Sequence, residues 1–299
     1  MTARTAPISS GQSGKPPTAS ATRVVRRRLA NSVFQVFCVV VTGVALIALA
    51  AILWSLLSQG IGGINLDVFT KSTPAPGSPG GLANAIVGSI MMCALAMVIA
   101  LVIGILAGTW LAEFAGKSRY GSVVRFLNDV LLSAPSILVG LFVYELLVAP
   151  FHGFSGFAGA VALSLLAVPV ITRTTEDVMS LQPATLREAG VALGAPVSFI
   201  IRKVLWRAAR GGMLTGGLLA FARISGETAP LLFTALNNQF FTVDLRHPTA
   251  NLPTVIFQYA LSAYDDWRRL AWVGALLIAA AVLGVTVLAR AVAEEPRRS

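Results

Sequence analysis

Between residues 82 and 112 the chain carries no charged side chain. A helix over that stretch, at 1.5 Å of rise per residue, outspans the roughly 30 Å hydrocarbon core of a bilayer. Five more apolar runs lie at about 33–57, 126–148, 157–171, 211–236 and 270–292. Hydrophobic residues make up 56% of the 299 positions and charged residues 12%, against about 25% charged in an ordinary globular chain. These features predict an all-α polytopic membrane protein with six transmembrane helices. The fourth run is short for a span and is expected to begin nearer Phe151 or to continue beyond Arg173. Within the first run Ala48-Leu49-Ala50 has the pattern of a signal-peptidase site, but the run is too long for a signal core and continues past it, so it reads as an uncleaved span.

Charge sets the orientation. Eighteen of the 23 basic residues fall in the N-terminal tail, the 117–125 turn, the 173–210 segment and the C-terminus. Lys71, Arg246, Arg268 and Arg269 lie on the other side, and Arg223 lies inside a span. By the positive-inside rule both termini are expected in the cytoplasm. The formal net charge of +10 is then accounted for by orientation and by contact with anionic membrane lipid, with no nucleic-acid partner. Residues 1–31 read as a disordered basic cytoplasmic tail and residues 32–299 as the six-span domain, with a cytoplasmic loop at about 174–210. Cys38 and Cys93 both sit in apolar runs, which points to packing and to neither a disulfide nor a metal. Trp267 and Trp272 flank the last span at interface depth.

The segment LQPATLREAGVALGAPVSFIIRKVLWRAARGG reads as a helical hairpin: Pro183 opens a helix, Gly194 closes it, and Pro196 starts another. Its basic second arm has the look of a DNA-binding helix-turn-helix, but membrane tethers at both ends and the lack of a third helix argue against that. Glu188, Ala189 and Gly190 followed by Gly194 resemble the EAA loop of ABC importer permeases, with Gly190 for the second Ala. In the second half Val204-Leu205-Trp206-Arg207 departs from the family's I-x-L-P. The resemblance implies that this loop is a coupling helix seated in a groove of an ATPase subunit. The second half of the chain, through AFARISGETAPLLFTALNNQF, HPTANLPTVIFQYA and WRRLAWVGALL, is similar to the PstA family of phosphate-specific ABC importer permeases. The first three spans match that family only in pattern and spacing.

The family implies a type I importer permease fold, a bacterial plasma-membrane location, and import of inorganic phosphate. It also implies four partner chains of three kinds: a PstC-type permease, two PstB-type ATPase subunits and a PstS-type phosphate-binding protein. The chain has no GxxxxGK[ST] element, and GQSGK in the tail lacks its spacing, so ATP and Mg are expected on the partner ATPase, with no cofactor and no catalysis here. Permeases for sulfate, molybdate or phosphonate are the alternative within the class. Outside it, residues 153–156, GFSG, match the serine motif of intramembrane hydrolases, but His152 and His247, the two histidines of the chain, fall in loops.

Arg223 and Glu227 stand four residues apart in the fifth run, where a bare Arg at mid-membrane costs about 2.5 kcal/mol or more. On a continuous helix the two share a face and can pair, and Pro230 frees the carbonyl of Gly226 and kinks the helix at the charges. Two readings remain: a structural pair that orders the bundle, or an anion site in which the Arg223 fork meets phosphate and Glu227 holds it when the path is empty. Arg173, at the inner end of the fourth run, is the second candidate for the translocation path. Asp129 and Glu145 are expected to pair or to face a cavity and are given no role.

Overall fold

The computed structural model describes residues 21–116 and 118–294, and every regular element among them is helical. Those elements are α1 (Ala21–Ile61), α2 (Leu66–Thr70), α3 (Ala83–Trp110), α4 (Arg119–Ser133), α5 (Ser136–Val143), α6 (Gly156–Ser180), α7 (Ala184–Ala192), α8 (Val197–Phe199), α9 (Trp206–Ser225), α10 (Ala229–Thr234), α11 (Leu252–Ala260) and α12 (Asp265–Glu294). Three π turns extend them: Leu111–Ala115 after α3, Tyr144–Val148 after α5, and Ile200–Leu205 between α8 and α9. The chain divides into two compact units, one ending at Trp54 and one beginning at Ser55. In the first, α1 starts at Ala21, so the expected disordered tail is helical from there on, Arg26, Arg27 and Arg28 included. Ala, Arg and Leu are good helix formers, and the apolar run after them propagates the helix back through the basic residues. Residues 1–20 lie outside the described residues.

All six apolar runs fall on helices, but two are not straight spans. Four helices are long and apolar enough to cross a membrane: Val25–Ile61, Ala83–Ala115, Gly156–Ser180 and Asp265–Ala291. The fourth run thus continues beyond Arg173 to Ser180. The third is a pair, Arg119–Ser133 and Ser136–Val148, bent by 105°. Pro135 causes the bend: it offers no N–H and forces Ala134 out of the helical region, to φ −64° and ψ 135°. The fifth run is α9 followed, after a break at 226–228, by α10.

The core of the second unit is α6, of whose 25 residues 16 are buried. Lipid tails are as apolar as leucine, so the helices associate through close packing and not through any gain in leaving the lipid. Along α3 the buried Met92, Ala96, Ala100, Gly104 and Gly108 recur every fourth residue and form one stripe. A Cβ on Gly104 would lie 2.8 Å from the Cβ of Ile171, and one on Gly108 would lie 2.5 Å from the carbonyl oxygen of Thr172. Only hydrogen fits there, and α3 and α6 touch backbone to backbone. On the next side of α6, Gly212 and Gly216 of α9 meet Val178 and Thr174.

Gly108→Ala is expected to lower stability by about 1–3 kcal/mol through overpacking. Gly284→Ala, where a Cβ meets open space, should be neutral or stabilising by up to about 1 kcal/mol. Thermal unfolding of both variants in one detergent checks the contrast.

Candidate translocation site and coupling hairpin

Two helix breaks face each other. Gly140 of α5 packs on Pro230 of α10, where a Cβ would come within 2.6 Å of the proline Cα. The bend at Pro135 and the break at 226–228 are therefore braced by the elements that follow them. Depth follows from the antiparallel register of α6 and α9. With Thr174 opposite Gly216 and Val178 opposite Gly212, Arg223 stands level with about Ala167, near the middle of α6. Non-helical backbone at membrane depth is tolerated where protein buries it or where it lines a wet cavity. Gly226 is exposed, with nothing within 4 Å of its Cβ position, so this break is open on one side.

The expected Arg223–Glu227 pair does not form. The helix stops at Ser225 with Gly226 as its cap, so the two residues no longer share a helical face. Both are half-buried, and among the described residues neither side chain makes an ion pair or hydrogen bond. The kink expected from Pro230 is a full break, with Pro230 buried in the first turn of α10, where its missing N–H leaves nothing unsatisfied. An unpaired guanidinium at mid-depth beside open backbone is suited to receive a transient anion.

Arg173 lies on α6 about six residues, or roughly 9 Å, from the level of Arg223. Its side chain is about half exposed and faces two carboxylates: Nε is 3.4 Å from Asp177 and Nη1 is 3.9 Å from Asp129. Asp129 thus pairs, as expected, whereas Glu145 is exposed. Sequence reasoning missed the buried pairs below them. Arg125 of α4 donates to Glu176 at 2.6 Å and to the carbonyls of Gly116 and Leu111 at 3.1 Å. Arg187 of α7 donates through Nε and Nη2 to both oxygens of Glu113, at 2.9 and 2.6 Å. These two hydrogen bonds raise the Arg187 pKa above its ordinary value and keep the guanidinium charged. The available signal was a carboxylate just beyond the end of an apolar run, Glu113 after the second and Glu176 after the fourth, since such a group demands a partner.

The hairpin forms as expected but is shorter than 174–210, because α6 runs on to Ser180 and α9 begins at Trp206. Pro183 precedes α7, Gly194 closes it at φ +75°, and Pro196 precedes the second arm. Glu188 and Ala189 are exposed, while Gly190 closes on Ile200, whose Cγ1 would be 2.7 Å from an added Cβ. That contact requires glycine where the family pattern has its second Ala. Leu181, Val191, Leu193, Val197 and Phe199 are all exposed around the tip, Leu193 at 87%. Where the sequence departs from I-x-L-P, Trp206 donates through Nε1 to Thr109 of α3 at 3.1 Å.

The serine of the GFSG stretch is structural. Ser155 Oγ accepts from the Ala158 N–H at 3.1 Å as the cap of α6, and His247 faces Asp244 at 3.6 Å. Trp267, expected at the membrane interface, stacks on Tyr259 with centroids 4.3 Å apart.

Membrane-length helices, two broken spans meeting beside an unpaired arginine, and an exposed apolar hairpin at one end define a transport permease. The family described as binding-protein-dependent transport system inner membrane component matches residues 100–298, and the chain belongs to it. The phosphate transport system permease protein PstA of Haemophilus influenzae is 52% identical over 247 residues, 83% of this chain and 88% of its own length. The probable phosphate transport system permease protein PstA of Methanocaldococcus jannaschii is 34% identical over 262 residues, 87% of this chain and 92% of its own. A solved structure of the inward-facing MetNI methionine ABC transporter contains a chain that aligns with a TM-score of 0.61 at 19% identity, covering 72% of this chain and 95% of that one. This last likeness bears on the fold alone.

Arg125→Gln leaves Glu176, 11% exposed, without its cation and is expected to destabilise by about 3–5 kcal/mol. Arg125→Met combined with Glu176→Met should recover most of that loss in the same thermal unfolding assay.

Proposed function

We propose that this chain is a permease subunit of an ATP-driven importer that carries inorganic phosphate into the cytoplasm. The observation that carries the reading is the unpaired Arg223 at a mid-depth helix break, in a chain whose relatives at 34–52% identity are named as phosphate permeases. A planar five-donor fork binds a tetrahedral oxyanion in two-point fashion, and a partly dehydrated site strengthens that contact. Glu227, on the far side of the break, makes no pair with Arg223 in the empty path and so does not hold it there. Arg173, held loosely by two exposed carboxylates, is the next cation along the bundle and is released to the anion as it passes. Phosphate is preferred to sulfate, molybdate or phosphonate on the strength of the relatives.

In this reading both termini and the hairpin are cytoplasmic, in keeping with Arg187, Arg202 and Lys203 in that segment. Glu188, Ala189, Gly190 and Gly194 dock one of two ATPase subunits, which bind the ATP and Mg. The exposed Leu193, Val197 and Phe199 supply the apolar contact for that groove. A second permease completes the path, and a phosphate-binding protein delivers substrate from outside.

The complete importer in lipid vesicles is expected to take up labelled phosphate only when ATP is supplied, with sulfate, molybdate and phosphonate failing to compete. Competition by sulfate at equal concentration would shift the substrate assignment. Because Arg223 and Glu227 do not pair, Arg223→Gln leaves no new orphan, so the complex should assemble while uptake falls by at least tenfold. Uptake near the wild-type rate would remove Arg223 from the path. Gly194→Glu, strained at a positive φ and bulky at the hairpin tip, should abolish co-purification of the ATPase while membrane insertion is unchanged.

A further inference from the structure

The hairpin is covalently continuous with α6 and α9, yet its side chains are fastened to α3. Trp206, the first residue of α9 where the second arm joins it, donates to Thr109; Arg187, in the first arm, grips Glu113 four residues further on. The same guanidinium donates to the carbonyls of Gln182 and Met179, at 3.0 and 3.1 Å, and so also joins the end of α6. Glu113 is 9% exposed, and Ala112 beside it packs against the hairpin core of Met179, Ile200, Ile201 and Leu205. Both arms are thus tied to one end of α3 by directional bonds as well as by apolar contact.

The other end of α3 is fastened just as firmly. Asn84 donates to Thr73 at 2.9 Å and to the Asn238 carbonyl at 2.8 Å, and Ser89 Oγ accepts from the Leu252 N–H at 2.8 Å. Gly88 lies against the backbone of Ala250. Residues 238–252 belong to the segment that follows α10, so α3 with its π turn, Ala83–Ala115, is a 33-residue rod joining the hairpin to the loops at the far end. It bypasses the helix breaks that interrupt two of its neighbours.

We propose that α3 is the helix through which movement of the coupling hairpin enters the bundle, and that Glu113 and Arg187 are the positioning residues that make this joint. Of the two helices continuous in sequence with the hairpin, α9 breaks at 226–228, whereas α6 is unbroken from Gly156 to Ser180 and packs backbone to backbone on α3, so α6 and α3 take up the motion as one block. A rod tied at both ends carries the displacement to the outer loops without loss at mid-depth. The ATP-driven stroke therefore depends on a lateral side-chain clamp and not on chain connectivity alone. Docking of the ATPase, on the outer face of α7, is separate from it.

The inference rests on the proposed ATP-driven transport, and the test separates the two. In the complete importer in vesicles, phosphate uptake and ATP hydrolysis are measured on one sample; uptake by the wild type tests the proposed function. Glu113→Gln, and Glu113→Gln with Arg187→Gln, are expected to keep ATP hydrolysis within about twofold of wild type while phosphate carried per ATP falls at least tenfold. The double variant leaves no orphaned charge, so a merely structural pair predicts that it regains the wild-type ratio, and that result would overturn the proposal. Should either variant fail to assemble, Trp206→Phe with Thr109→Val breaks the second tie without touching a charge. Its ratio is expected to fall about threefold, and an unchanged ratio there also sinks the idea.

Discussion

The close approach of α3 to α6 is the constraint on which the rest of the bundle depends. In lipid, dispersion contacts and hydrogen bonds are what hold helices together, and both need short distances. The stripe of Ala96, Ala100, Gly104 and Gly108 lets the two backbones meet over more than three turns. That contact buries α6, and a buried α6 presents fixed surfaces on its other sides. Asn128 of α4 reaches the Pro169 carbonyl, Glu176 receives Arg125, and Thr174 receives Gly216 of α9. Loss of the stripe would displace α4 and α9 as well, because each takes its position from α6.

Much of this was legible in the sequence, and the failures share a cause. The apolar runs marked where helices form, since the lipid leaves the backbone no other partner, but they did not show where a run is broken into two helices. Pro183, Gly194 and Pro196 marked the hairpin because each acts through its own backbone geometry. What could not be read was geometry between segments. Arg223 and Glu227 have the spacing of a helical pair, and whether the helix continues through Gly226 depends on Pro230 meeting Gly140, a contact between positions ninety apart in the chain. Pro135 was in plain view, yet the apolar residues on both sides made one span look more natural than two helices bent by 105°. Glu113 with Arg187 and Arg125 with Glu176 join residues 74 and 51 apart, and no local period records them.

Charge is divided in an orderly way along the depth of the bundle. At the hairpin end two arginines, Arg125 and Arg187, are bound to carboxylates and to carbonyls and serve as permanent ties, while Arg207 and Arg210 are exposed to the surroundings. Further along, Arg173 is shared between two exposed acids at 3.4 and 3.9 Å, and near the middle of α6 Arg223 has no partner among the described residues. A cation already satisfied has little to offer a passing ligand, whereas one left unsatisfied in a sparse dielectric gains most from it. The gradient from bound to unbound guanidinium thus runs toward the open break at Gly226.

The π turn Leu111–Ala115 sets a limit on how this chain can vary. A π turn closes its hydrogen bonds over one residue more than an α turn, so it acts as an insertion absorbed within the helix. Everything after it is rotated relative to the stripe that grips α6, and Glu113 sits inside the turn that makes the rotation. Removal of a single residue there would restore ordinary helix and leave the composition almost unchanged. It would also swing the carboxylate away from Arg187 and re-aim the turn into α4. Side chains in this stretch can be exchanged one at a time, but its length is held in phase.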